Sequence, residues 1–321
     1  MIFKAILTAA AMTVLGAAPA FAEFPERPVS MIVPWSAGGG TDAIARMLAN
    51  GLEKELGQPI NVINRTGGAG VIGHTEIANA APDGYTIGLI TAEIATYYSA
   101  GLADLTHKNY TPIALINLDA GTFTVNANGK WKDLKAALED IKQSPAGTFK
   151  LASAPGAGYH LAFAGLLSKA GIDPNKVTIV PNAGAAPSFQ ELASGGVDVV
   201  PYALPEGKAM IDAGIAKPLA VFAAERNKAF PDVPTAAEAS GFEQVGGTWR
   251  AIVAPAGIPA DEAKALEAAV EKAWNDAAFQ EFMTSRGFGL TWQGSAGLAE
   301  FLATQEQENG AVMKEIGLAK R

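Results

Sequence analysis

Apolar positions along this chain recur in two alternating rhythms. Short runs such as VSMIVPW (Val29 to Trp35), INVIN (Ile60 to Asn64) and YTIGLIT (Tyr85 to Thr91) are nearly continuous and partly β-branched, the pattern of strands covered on both faces. Between them the apolar residues return with helical spacing. In TDAIARMLANGLEKELG, residues Ile44, Leu48, Leu52 and Leu56 fall four apart, which predicts one buried helix face with Gly57 as its stop. The alternation resumes with FKLASA, HLAFAGLLSKAG, VTIVPN, PSFQELASGG, VDVVPYAL, EGKAMIDAG and KPLAVFA. Such repetition predicts an α/β fold of parallel sheets with helices on both faces. A long helix over roughly Ala260 to Arg286 and a last one near Gly297 to Ile316 close the chain.

So many βα units in 321 residues fit two domains better than one. A crossing out near Ile113 to Phe123 and a return near Trp249 to Ala254 would make the middle third an insertion. Residues 23–121 plus 246–321 then form a discontinuous lobe 1, and residues 122–245 form lobe 2. Residues 1–22 read as a Sec-type secretory signal: Lys4, an apolar run from Ala5 to Ala18, and small residues at Ala20 and Ala22. The run is shorter than the ~20 residues that span a bilayer, so the expectation is a soluble periplasmic protein after cleavage.

Composition narrows the chemistry. The chain has no cysteine and three histidines, His74, His107 and His160, which argues against thiol chemistry and multi-histidine metal sites; no metal or other cofactor is expected. A formal charge of −8 lacks the basic stripe of a nucleic-acid binder. What stands out instead is small-residue loops between strand ends and helix starts. PWSAGGGTD (Pro34 to Asp42) is the first; its backbone amides and the following helix start suit an anion. Ser36 and Thr41 can donate hydroxyl bonds or cap the helix, and Asp42 is expected to turn away, bonding loop amides or favouring the helix start. RTGGAGVIG (Arg65 to Gly73) contains a literal G-x-G-x-x-G, with Glu93 twenty residues beyond Gly73. That pattern matches the dinucleotide fingerprint on paper. The match is weakened because Asn64 to Gly67 intervene after the strand and because an earlier βα turn precedes it. An exported nucleotide-dependent oxidoreductase using Gly68–Gly73 is the alternative reading. SAPGAGYH (Ser153 to His160) and PNAGAAPSF (Pro181 to Phe189) repeat the loop design, and loops at the same edge of parallel sheets converge. A Ser/His/Asp hydrolase is not indicated, since no nucleophile elbow is present. No catalytic residues are assigned.

Five blocks, in order, resemble the substrate-binding proteins of tripartite tricarboxylate transporters, the TctC or Bug family. They are PWSAGGGTDAIAR, NRTGGAGVIG, APDGYTIG, FPDVPTAAEASGF and TWRAIVAPAGIP. The resemblance implies a two-lobed periplasmic binding protein of the type II, Venus-flytrap kind, each lobe a βα sheet domain. It would be a monomer that is not an enzyme. It would capture a small organic carboxylate, with a di- or tricarboxylate favoured, and deliver it to the membrane permease subunits. Carried onto this sequence, the resemblance implies ligand contacts from Ser36, Ala37, Gly38 and Gly39 in the first loop, and from Ser153, Gly156, Gly158, Asn182 and Gly184 in lobe 2. Thr41, Gly68, Ala69 and His160 join the candidate ligand set from the loop reading. Glu93 stands where relatives commonly carry a small hydroxyl residue and is read either as ligand-selecting or as an acceptor for nearby amides. Asp198 occupies a position where relatives often place an acid near the ligand, which would suit an amino group but repel a further carboxylate. Arg250 departs from relatives with a small or aromatic residue there. Its guanidinium suits a bidentate grip on a carboxylate, with a salt bridge near the hinge as the other reading.

Overall fold

A computed structural model describes residues 24–321; the expected signal segment 1–22 lies outside the described residues. Eleven strands form two sheets. In chain order they are β1 (Val29–Val33), β2 (Ile60–Asn64), β3 (Thr86–Thr91), β4 (Tyr110–Ala120), β5 (Thr122–Asn126), β6 (Phe149–Ala152), β7 (Val177–Val180), β8 (Val199–Val200), β9 (Ala216–Val221), β10 (Gly247–Pro255) and β11 (Gln293–Gly294). The first sheet has the order β11-β4-β10-β3-β1-β2 and the second β7-β6-β8-β5-β9. The fold is α/β and two-lobed, one lobe around each sheet.

The sheets are mixed, not parallel throughout. β1 runs parallel to β2 and β3, but β10 is antiparallel to both β3 and β4, and β5 is antiparallel to β8 and β9. The reason is the connection between lobes. β4 leads out of the first sheet and β10 leads back in, so the two long strands lie side by side in opposite directions.

Ten helices clothe the sheets. They are α1 (Gly40–Leu56), α2 (Val71–Ala78), α3 (Leu134–Gln143), α4 (Gly158–Lys169), α5 (Ala185–Ser194), α6 (Leu204–Asp212), α7 (Ala236–Ser240), α8 (Ala260–Asn275), α9 (Ala277–Arg286) and α10 (Ser295–Glu315). In α1, Ile44, Ala45, Leu48 and Leu52 are fully buried on the face that the spacing predicts, and Gly57 ends the helix in the left-handed region at φ 66°. The single helix expected over Ala260 to Arg286 is instead two. Asp276 adopts an extended conformation (φ −60°, ψ 132°), and its carboxylate accepts from the Ala278 amide. That side-chain cap restarts the chain as α9. Each lobe has its own apolar core, with Val29, Ile44, Leu48 and Ile252 in the first and Phe123, Phe163, Leu166 and Phe222 in the second.

Candidate functional site

The loops after β1, β3, β6 and β7 leave their sheets toward one cavity between the lobes. The first lobe lines it with Trp35, Ser36, Gly39, Gly40, Thr41, Thr91 and Glu93, and with Thr248 and Arg250 from β10. The second lobe faces them with Ser153, Ala154, Ala157, Tyr159, Gly184, Ala185, Tyr202 and Glu206. The starts of α1 and α5 thus meet across one space, their first-turn amides lacking partners inside the helices. A backbone bond already joins the two rims: the Ser36 amide donates to the Ala183 carbonyl at 2.9 Å. The cavity volume is about 30 Å³. The cleft is nearly shut.

One side of this cavity is occupied by an ion cluster of the protein itself. Arg250, 1% exposed, donates from Nε to Thr41 Oγ1 at 2.9 Å and from Nη1 to Asn117 and Asp119. Its Nη2 reaches across the cleft to Glu206 Oε1 at 2.9 Å. The other Glu206 oxygen accepts from the Tyr159 hydroxyl (2.7 Å) and the Ala203 amide (3.2 Å). Gly40 is what permits this approach, since a Cβ there would stand 2.6 Å from the Glu206 carboxyl. Burial works against the charge on Arg250, but the fields of Glu206, Tyr159 and Asp119 outweigh it and hold the guanidinium protonated. Burial pushes the Glu206 carboxyl up, against the pull of Arg250. The bidentate grip expected of Arg250 on a ligand is therefore largely taken by the chain's own carboxylates, although Arg250 does line the cavity.

The other side is unsatisfied. Glu93, 5% exposed in the turn after β3, has a buried Oε2 with no hydrogen-bond partner among the described residues, and the Ser36 Oγ is likewise without one. Burial raises the Glu93 carboxyl above its ordinary value; the Thr91 side chain, the Glu93 amide and Arg250 offset part of this, and Glu206 adds to it. No group of three or more His, Asp or Glu that could hold a metal occurs among the described residues.

Of the predicted site residues, Ser36, Gly39, Thr41, Glu93, Ser153, Gly184 and Arg250 line this cavity. Thr41 does not cap α1; Gly39 is the N-cap, and the Thr41 hydroxyl serves Arg250 instead. Asp42 turns away as expected, accepting from the Gly38 amide at 2.9 Å and pairing with Arg46. Ala37 and Gly38 are exposed at the tip of that loop. Gly68, Ala69 and Asn182 line a separate, mainly apolar groove beside the cavity with Val71, Leu102 and Pro181. Asn182 supports the wall from behind, its Oδ1 accepting from the Tyr202 hydroxyl. Gly156, Gly158 and His160 also stand behind the wall. His160 Nδ1 accepts from the Gly156 amide at 2.9 Å, burial pushes its pKa down to about 4, and the Gly158 Cα packs against the Gly247 carbonyl. Asp198 lies elsewhere altogether. It precedes β8, at the strand end far from the cleft, and accepts from the Lys150 amide.

Tyr159, Tyr202, Thr91, Thr248 and Glu206 are wall residues that the sequence reading missed. For Glu206 the available signal was local and pointed to something else, since an acid at the third position of a helix reads as a capping residue. The glycines of the second loop serve packing: a Cβ on Gly73 would stand 2.5 Å from the Arg65 carbonyl and 2.6 Å from Pro34 Cα. They hold two loops together.

The TctC family model, described as the tripartite tricarboxylate transporter family receptor, matches residues 44–318. The chain belongs to this family. It is 30% identical over 307 residues to the protein BugT of Bordetella pertussis, covering 94% of this chain and 90% of BugT. A TctC solute-binding protein from Polaromonas, solved with no ligand, is 30% identical and superposes with a TM-score of 0.64 over 91% of this chain and 99% of that one. MatC from Rhodopseudomonas palustris, solved with bound malate, is 29% identical and superposes with a TM-score of 0.80 over 90% and 99%. Like its family, the protein is a solute-binding protein of the periplasmic type and not an enzyme, which sets aside the oxidoreductase reading of Gly68–Gly73. No helix among the described residues is long and apolar enough to cross a membrane.

Proposed function

We propose that this protein captures a small organic carboxylate between its lobes and delivers it to the permease subunits of a tripartite tricarboxylate transporter. It would act as a soluble periplasmic monomer after loss of residues 1–22. Lobe 1 would comprise residues 23–121 and 246–321, and lobe 2 residues 122–245. The observation that carries this reading is the convergence of the α1 and α5 starts on one interlobe cavity, with a Ser36 hydroxyl that has no partner among the described residues. The malate bound to MatC adds support from a relative.

The magnitudes suffice without a metal. A helix start contributes about 0.3–2 kcal/mol toward an anion, and each charge-assisted hydrogen bond about 1.5–3 kcal/mol. A few of each, less the cost of ordering ligand and hinge, approach the ~8 kcal/mol of micromolar binding. The Ser36–Ala183 and Arg250–Glu206 bonds run from one lobe to the other and would favour a closed cleft.

A thermal-shift panel on dialysed protein tests the reading. Carboxylates at ~100 times their dissociation constant should add ~2.7 kcal/mol of stability, and NADH none. Stabilisation by NADH, with no response to any carboxylate, would overturn it.

A further inference from the structure

The charge already walled into the cleft constrains the far end of the ligand. Among the described residues Arg250 is the one guanidinium or ammonium group lining the cavity, and it already meets two carboxylates, Asp119 and Glu206, at side-chain exposures of 1–4%. Glu93 is a third acid near this cluster: one of its oxygens is unpartnered among the described residues, and Arg250, the cation whose field reaches it, is already held by the other two carboxylates. A ligand carboxylate held at the amides of α1 and α5 would be a fourth negative group. A dicarboxylate would bring a fifth, or a fourth with Glu93 protonated, against the single charge of Arg250. A ligand carrying a protonated amine supplies a second positive charge, and its N–H groups give the orphaned Glu93 oxygen the donor it lacks. Between the lobes an unpaired buried charge is strongly disfavoured, so this difference is large enough to select.

We propose that the cleft selects an aminocarboxylate, one carboxylate and one protonated amine on a short carbon frame, with Glu93 receiving the nitrogen. The inference rests on the carboxylate-capture reading above and names the second end of the solute. Glu93 is then the residue that discriminates between solutes, while Glu206 and Asp119 keep Arg250 from attracting a second carboxylate.

The test is calorimetric titration of the dialysed protein at neutral pH with pairs matched in length. Suitable pairs are succinate against 4-aminobutanoate, glutarate against 5-aminopentanoate, and adipate against 6-aminohexanoate. At least one aminocarboxylate should bind at least tenfold tighter than its matched dicarboxylate. Glu93→Gln should weaken that aminocarboxylate at least tenfold and narrow the gap. The comparison on the unmodified protein stands even if the variant folds poorly. Dicarboxylates that bind as tightly or tighter, with Glu93→Gln leaving them unchanged or improved, would overturn the nitrogen assignment and leave the carboxylate reading intact. No binding by either class would overturn both.

Discussion

The two sides of the cleft solve the problem of buried polarity in opposite ways. Around Arg250 every strong group has found a partner within the protein: Thr41, Asn117 and Asp119 from the same lobe, and Glu206 from across the gap. Around Glu93 and Ser36 buried oxygens stand without partners. A satisfied cluster of this kind fixes how the lobes meet. An unsatisfied one is tolerable only if something else completes it, since an unmade buried hydrogen bond costs about 1–3 kcal/mol. In the proposed reading the ligand's place is marked by unmet hydrogen-bonding capacity inside the cavity and not by charge density.

The contrast makes changes on the Arg250 side act on stability and lobe closure, and changes on the Ser36 side act on affinity alone. The largest effect should come from Arg250→Met, which strands Asp119 and Glu206 as buried, unpaired acids. Denaturant unfolding of the ligand-free protein should show a loss of about 3–5 kcal/mol. An unchanged midpoint would mean that the cluster does not support the fold. Next, Gly40→Ala puts a methyl where the Glu206 carboxyl sits. Displacing that side chain should cost about 1–2 kcal/mol and weaken ligand binding roughly tenfold, with a larger radius of gyration in the liganded state by X-ray scattering. Unaltered affinity and radius would remove Glu206 from closure. The smallest effect belongs to Ser36→Ala, which deletes a hydroxyl with no partner of its own. Affinity should fall about fivefold, or ~1 kcal/mol, while the melting temperature stays put. A destabilised fold with intact affinity would reverse the assignment of the two sides.

Much of the scaffold is legible before any coordinates. The spacing of Ile44, Leu48 and Leu52 gives the buried face of α1, and Gly57 gives its end. The loops at Pro34 to Asp42, Ser153 to His160 and Pro181 to Phe189 can be recognised as a converging set, because a parallel strand delivers its following loop to a fixed edge. Local chemistry also leads one to expect Asp42 to turn away toward loop amides or the helix start, and the Gly38 amide is the one it bonds. Asp198 was misplaced for a reason equally local: it stands before its strand, and the cleft lies after it. The break at Asp276 was hidden because helical periodicity continues across a one-residue cap.

Sequence by itself determined the alternation of strands and helices, the small-residue loops and the family. These depend on neighbours within a few positions or on motifs that read in a line. Tertiary structure alone decided that Thr41, Asn117, Asp119 and Glu206 would converge on Arg250, and that Glu93 would be left with an unanswered oxygen. Partners drawn from 44 to 209 residues away leave no periodic trace, because the forces between buried charges act through space and not along the chain.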